Sequence, residues 1–263
     1  MTPYLALLSA RFRMLLQYRA AALAGMGTQL FWGLVRVMVF EAFYRSATGP
    51  HPMSLEEVRD YVWLGQALFA LLPFAIDGEI RQMIRTGSVA YELARPLDLY
   101  ALWYCRAVAS RTAPTLLRSV PLFTGALLFF GLRPPPSGEA AAAWVLCTAA
   151  AVLLACALST LMHICLLWTI AGEGVAQLAQ AGVFVLSGMI VPLPLFPDWA
   201  RPVLDFLPFR GLADLPFRVW AGHIPPAQVW GVLAHQVAWT AALVLAGRAL
   251  LGRGTRRLVV QGG

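Results

Sequence analysis

The residues able to do chemistry are few and badly spaced for it. Ser187 and His235, a serine and a histidine in different apolar runs, are the pair worth weighing for an intramembrane serine protease. That class also needs a glycine two residues before its serine, and the stretch here reads Val185-Leu186-Ser187-Gly188. Ser187 is expected to bond back to its own helix, with Gly188 allowing close packing. His163 and His235 fall in separate runs, and His51 and His223 in loops, so no pair has metal-ligand spacing. Cys105, Cys147, Cys156 and Cys165 show no CxxC pattern and read as free thiols in apolar surroundings. All 20 basic residues are arginine. Without lysine there is neither a phosphate-binding P-loop nor a Schiff base, so this chain does not hydrolyse ATP itself. The +7 charge is scattered between apolar runs, which argues against nucleic acid as a partner.

What positions these residues is a membrane fold. The chain of 263 residues is 59% hydrophobic and 13% charged, too apolar to cover a soluble globule. A crossing needs about 20 mainly apolar residues. Six runs qualify, near 20–43, 61–76, 112–132, 140–171, 174–191 and 228–251. The second is short and is expected to start earlier, near Leu55; the fourth should tilt or project. The fold class is therefore an all-α integral membrane protein with six transmembrane helices, and 1–263 forms a single membrane domain. Twelve arginines fall on the side of the two termini and six on the other, which makes both termini cytoplasmic. Arg36 and Arg118 fall inside runs. Arg118 can snorkel, Glu41 lies near an outer end, and Arg36 either lines a transport path or pairs between helices.

Three segments stand outside the spans. In 1–19, the residues Leu5, Leu8, Phe12, Leu15 and Leu16 form a helical stripe with Arg13 and Gln17 opposite. That pattern suits an interfacial helix, or else an extension of the first span. The cytoplasmic stretch 77–111 is interrupted at Gly87 and again at Arg95-Pro96, leaving a two-turn helix over 88–95 that Ser88 can cap. It would suit a soluble partner, whereas the link between the fourth and fifth spans is only Gly172-Glu173-Gly174. The outer stretch 192–226 holds 8 of the 18 prolines, six aromatics and alternating charges that include the Asp214/Arg218 pair. It reads as two short amphipathic helices at the outer surface, dipping inward as a re-entrant segment.

This order resembles the permease subunit of a bacterial ABC-2 type (type-2 ATP-binding-cassette) exporter. The resemblance is carried by Ile84-Arg85-Thr86-Gly87 through Leu93-Ala94-Arg95-Pro96-Leu97-Asp98, and by Ser187-Gly188-Met189-Ile190-Val191-Pro192-Leu193. Phe196-Pro197-Asp198-Trp199, Leu207-Pro208-Phe209 and the tail Arg256-Arg257-Leu258-Val259-Val260-Gln261-Gly262-Gly263 add to it. The resemblance implies a subunit of the bacterial cytoplasmic (inner) membrane. It would pair with a second permease, as a homodimer or heterodimer, and bind two cytoplasmic ATPase subunits that supply ATP and Mg2+ while this chain holds no cofactor. It implies a coupling helix using Arg85, Gly87, Ser88, Tyr91, Glu92, Arg95 and Pro96, and a pathway lined from the second and fifth spans. The pathway residues would be Gln66, Phe69, Phe74, Gln177, Gln180, Phe184 and Met189, with Arg36 a further candidate. The aromatic spans suit an amphipathic or hydrophobic cargo, such as a drug, antibiotic or lipid. The alternative is an ion- or proton-coupled secondary transporter using Arg36, Glu41 and the histidines, which would show an internal repeat; the two halves show none that convinces.

Overall fold

The computed structural model describes residues 3–46, 49, 51–74, 76–168 and 173–255. These are 79% helical and contain no strand. Helix α1 (Pro3–Leu16) ends in a turn at Gln17 and Tyr18, and α2 (Arg19–Ser46) starts anew. The N-terminal helix is thus a separate element and not an extension of the first span. Its expected stripe holds at Leu8, Phe12, Leu15 and Leu16, which are half-buried with Arg13 and Gln17 exposed; Arg11 joins that face, and Leu5 is 51% exposed.

Helix α3 (Leu55–Ala67) begins where a capping box forms between Ser54 and Glu57. It stops short of the expected end at 76. A 3-10 turn (Phe69–Leu71) and Pro73 interrupt it, and α4 (Gly78–Arg85) starts from Asp77, whose carboxylate takes the Glu79 and Ile80 amides. At about 1.5 Å per residue, α3 covers about 20 Å, less than the hydrocarbon core. The second expected span is therefore a broken helix. Helix α5 (Val89–Leu93) follows, then α6 (Leu99–Phe129), which Asp98 caps and which α1 packs along. Its 31 residues reach about 46 Å. The stretch expected as a cytoplasmic link to 111 is hence already helical from Leu99.

Helix α7 (Gly138–Cys165) is capped by Ser137 and ends earlier than the expected 171; Ala171 and Gly172 lie outside the described residues. Helix α8 (Glu173–Leu186) stops at Ser187-Gly188, where Gly188 takes φ +82°. Helices α9 (Arg201–Phe206) and α10 (Asp214–Trp220) form the outer segment, and α11 (Val229–Thr255) closes the fold. Helix α9 is exposed, with Val203 and Phe206 facing out, but α10 buries Leu215, Phe217 and Val219 and packs on α7. Only one of the two outer helices is a surface helix.

By length and apolar content, α2, α7 and α11 can each cross a membrane. Among the other described helices, α6 carries Arg106, Arg111 and Arg118, and α8 has only 14 residues. The core lies along α7, whose Ala143, Cys147, Ala151 and Ala155 let α6, α10 and α11 approach closely. Small residues set the other close crossing as well: a Cβ on Gly33 of α2 would sit 2.6 Å from the buried Trp63 ring of α3. Gln236 of α11 donates to the carbonyls of Cys147 and Gly211 at 3.0 and 2.8 Å, joining α11, α7 and the outer segment.

Candidate functional site

The segment from α4 to the start of α6 is built around a reversal and a brace. Gly87 at φ +72° turns the chain between α4 and α5, a conformation that L side chains rarely adopt. Helix α5 spans five residues, fewer than the expected 88–95. Ser88 does not cap it; its hydroxyl instead meets that of Thr86 at 2.9 Å. Val89 is buried beside Ile80 and Trp103. Glu92, one of the coupling residues that the resemblance implies, points inward: it is 9% exposed and accepts a hydrogen bond from Trp103 Nε1 at 3.1 Å. Tyr91 (76% exposed), Leu93, Arg95 and Pro96 face out, and so does Arg85. The segment thus has an inner face that fixes it and an outer face left bare.

Where α4 leaves the break, charges converge that the sequence reading had left unpaired. Arg106 Nη2 reaches Asp77 Oδ2 at 3.1 Å and Glu79 Oε2 at 2.6 Å, and Arg11 reaches Glu79 at 2.9 Å and Asp77 at 3.4 Å. The hydrogen bond from Arg11, then that from Arg106, hold the Glu79 carboxyl down at about 2. The Asp77 backbone N–H donates to His163 Nε2 at 2.9 Å. Arg111 donates to the Leu72 carbonyl at 2.7 Å and to Ser159 Oγ at 2.8 Å, tying the break to α6 and α7. A cavity of about 230 Å³ sits here, lined by Arg11, Asp77, Ser110, Arg111 and His163. Asp77-Gly78-Glu79 was the available signal, a helix cap followed by a first-turn acid.

Three of the expected pathway residues come together. Phe74 stacks on Phe184 at 4.1 Å between centroids, and Phe69 lies 4.6 Å from Phe74 and 5.7 Å from Phe184. This half-buried aromatic cluster joins the break to α8. Met189 is buried against Gly65 of α3. Gln177 is exposed and Gln180 half-buried, and neither forms a hydrogen bond among the described residues. Gln66 is buried; its amide donates to Gln29, and its oxygen accepts from Arg36 Nη1 at 3.2 Å.

Arg36 pairs between helices. Its Nη2 donates to the carbonyls of Met189 and Ile190, the latter at 2.7 Å, just past the end of α8, where helix carbonyls lack partners. Beside it runs a groove of about 600 Å³ between α2 and residues 190–195. Glu41 pairs with Arg59 at 3.1 Å, and Arg118 lies across α2 at Gly25. Ser187 Oγ and His235 Nε2 are each buried without a partner, so they are not bonded to one another, and the expected back-bond of Ser187 is not made. The four cysteines are free, and no group of side chains among the described residues could hold a metal ion. The tail from Arg256 to Gly263 lies outside the described residues.

The model of one family, described as "ABC-2 family transporter protein", matches residues 26–262. No curated protein and no solved structure matches the chain.

Proposed function

The chain belongs to the ABC-2 transporter family, whose members are multi-pass membrane transport components working with a separate ATPase, and from that premise we propose that it is the permease subunit of an ATP-driven exporter. It forms the substrate pathway with a second permease, identical or related, in the bacterial inner membrane with both termini in the cytoplasm. Two cytoplasmic ATPase subunits bind ATP and Mg2+ and dock on 84–97. Their closure displaces α5 and α4, and the break at 72–77 passes that displacement to the aromatic cluster. The cargo is amphipathic or hydrophobic.

One observation carries this reading: α5 is braced from inside through Val89 and Glu92 while Tyr91 stands 76% exposed. A fold that fixes so short a helix and leaves its tyrosine bare presents a contact. The test is co-purification with the ATPase expected beside it, comparing wild type with Tyr91→Ala. Since Tyr91 touches little of its own chain, the variant should keep its thermal stability within about 0.5 kcal/mol. It should nevertheless lose most of the bound ATPase. Full retention of the ATPase would overturn the docking assignment.

A further inference from the structure

The groove beside Arg36 has a composition that selects a ligand. One wall is the α2 stripe Trp32, Val39 and Phe43, and the other is Ile190 and Leu195. Trp32, Val39 and Phe43 are each more than half exposed, so the groove opens sideways toward the bilayer. Arg36 sits ten residues before the end of α2, about 15 Å along the helix. Its partners are two carbonyls and an amide, all neutral. Among the described residues no carboxylate pairs with it, and its Nε–H has no partner. A cation at this depth without a counter-charge is costly unless something supplies one.

We propose that this groove binds a single-chain amphipathic anion drawn from the membrane, with its acidic head on Arg36 and its chain along the α2 stripe. Charge complementarity selects the head, and the apolar walls select the chain. That such anions are the cargo rests on the permease reading; that they bind does not.

Trp32 provides the reporter. The protein is placed in phosphatidylcholine nanodiscs and titrated with dibromostearate or with the matching brominated alcohol. Fluorescence quenching is read as the difference from Trp32→Phe. The carboxylate should quench Trp32 saturably. Arg36→Gln should weaken it by about tenfold or more, the worth of a charge-assisted hydrogen bond, while the alcohol is unaffected by that change. If Arg36→Gln does not fold, Val39→Phe decides, because it fills the groove from an exposed position and should abolish saturation. Equal quenching by acid and alcohol would overturn the proposal. So would no quenching by either, the result expected if a second copy of this chain covers the groove. Binding is read without an ATPase, so failure of ATPase co-purification and failure of anion binding are separate results.

Discussion

The break at 72–77 separates α3 from α4, the outer and inner halves by the sidedness that the arginine count predicts, and the two are held by the same residue types to different effect. In the outer half, Asp60 is 1% exposed and takes Arg133 Nη2 at 2.7 Å, Nε at 2.8 Å and the backbone N–H at 3.0 Å. Tyr61 beside it donates to Asp214 Oδ1 at 2.8 Å, and every residue of 60–67 is buried. This half is one body with the α6–α7 turn and α10. The inner half, α4, buries only Ile80; its cap Asp77 is held by the buried Arg106, while Glu79 meets Arg11 and Arg106 at an open surface. The desolvated Asp60 makes the outer half an anchor. In the inner half the desolvated pair, Arg106 with Asp77, sits only at the cap. The carboxylate within α4, Glu79, is 60% exposed and screened, which makes α4 a lever that can be shifted about its cap at low cost.

The largest effect should come from Arg133→Ala. Asp60, not Arg133, is the desolvated partner, so this change leaves a buried carboxylate short of its cation. A loss of about 3 kcal/mol is expected, read as a drop in thermal unfolding temperature in detergent. A loss under about 1 kcal/mol would mean that the anchor is no stronger than the lever. Trp103→Phe comes next. It keeps the ring but strands the Glu92 carboxylate, at a cost of about 1–3 kcal/mol. Hydrogen exchange should quicken over 84–95 and stay unchanged over 58–67. Parallel quickening in both would show that the two halves are a single unit.

How far this division could be read in advance follows from the range over which each signal acts. Helices α2, α7 and α11 are visible as long apolar runs, and Gly87 and Pro96 mark the ends of the segment that holds α5, since chain-local sterics decide both. The family resemblance, carried by short motifs, agrees with the family model over 26–262. The break itself was missed because Pro73 lies in an apolar run that looked continuous. Its start signal, Asp77, reads in the sequence only as the first residue of the stretch 77–111, with the first interruption at Gly87. The inward turn of Glu92 could not be read from its neighbours in sequence, because its burial depends on Trp103, which belongs to the next helix. The dual role of Arg36 could not be resolved without its carbonyl partners beyond α8. The meeting of Phe69, Phe74 and Phe184 is a tertiary fact that neither periodicity nor the resemblance, which names them only as pathway candidates, states.

The smallest effect is the sharpest test of the lever. The Glu79 carboxyl titrates near 2 in the folded chain, below the ordinary value of about 4.3, because Arg11 and then Arg106 favour its charged form. A carboxyl depressed on folding stabilises fully above its unfolded value, and the contribution fades as pH falls from there toward 2. Glu79 is 60% exposed, so solvent screens the pair and the contribution stays within about 1 kcal/mol. Between pH 6 and pH 3, exchange protection of α4 amides should therefore decline while that of 60–67 holds. Glu79→Gln should start with α4 already loosened and show a flatter response. If α4 and 60–67 lose protection together, or if the glutamine variant titrates like wild type, this ion pair is not what holds the inner half. The lever would then have to be fastened by Ile80 and the Asp77 cap, and its motion would cost packing in place of screened charge.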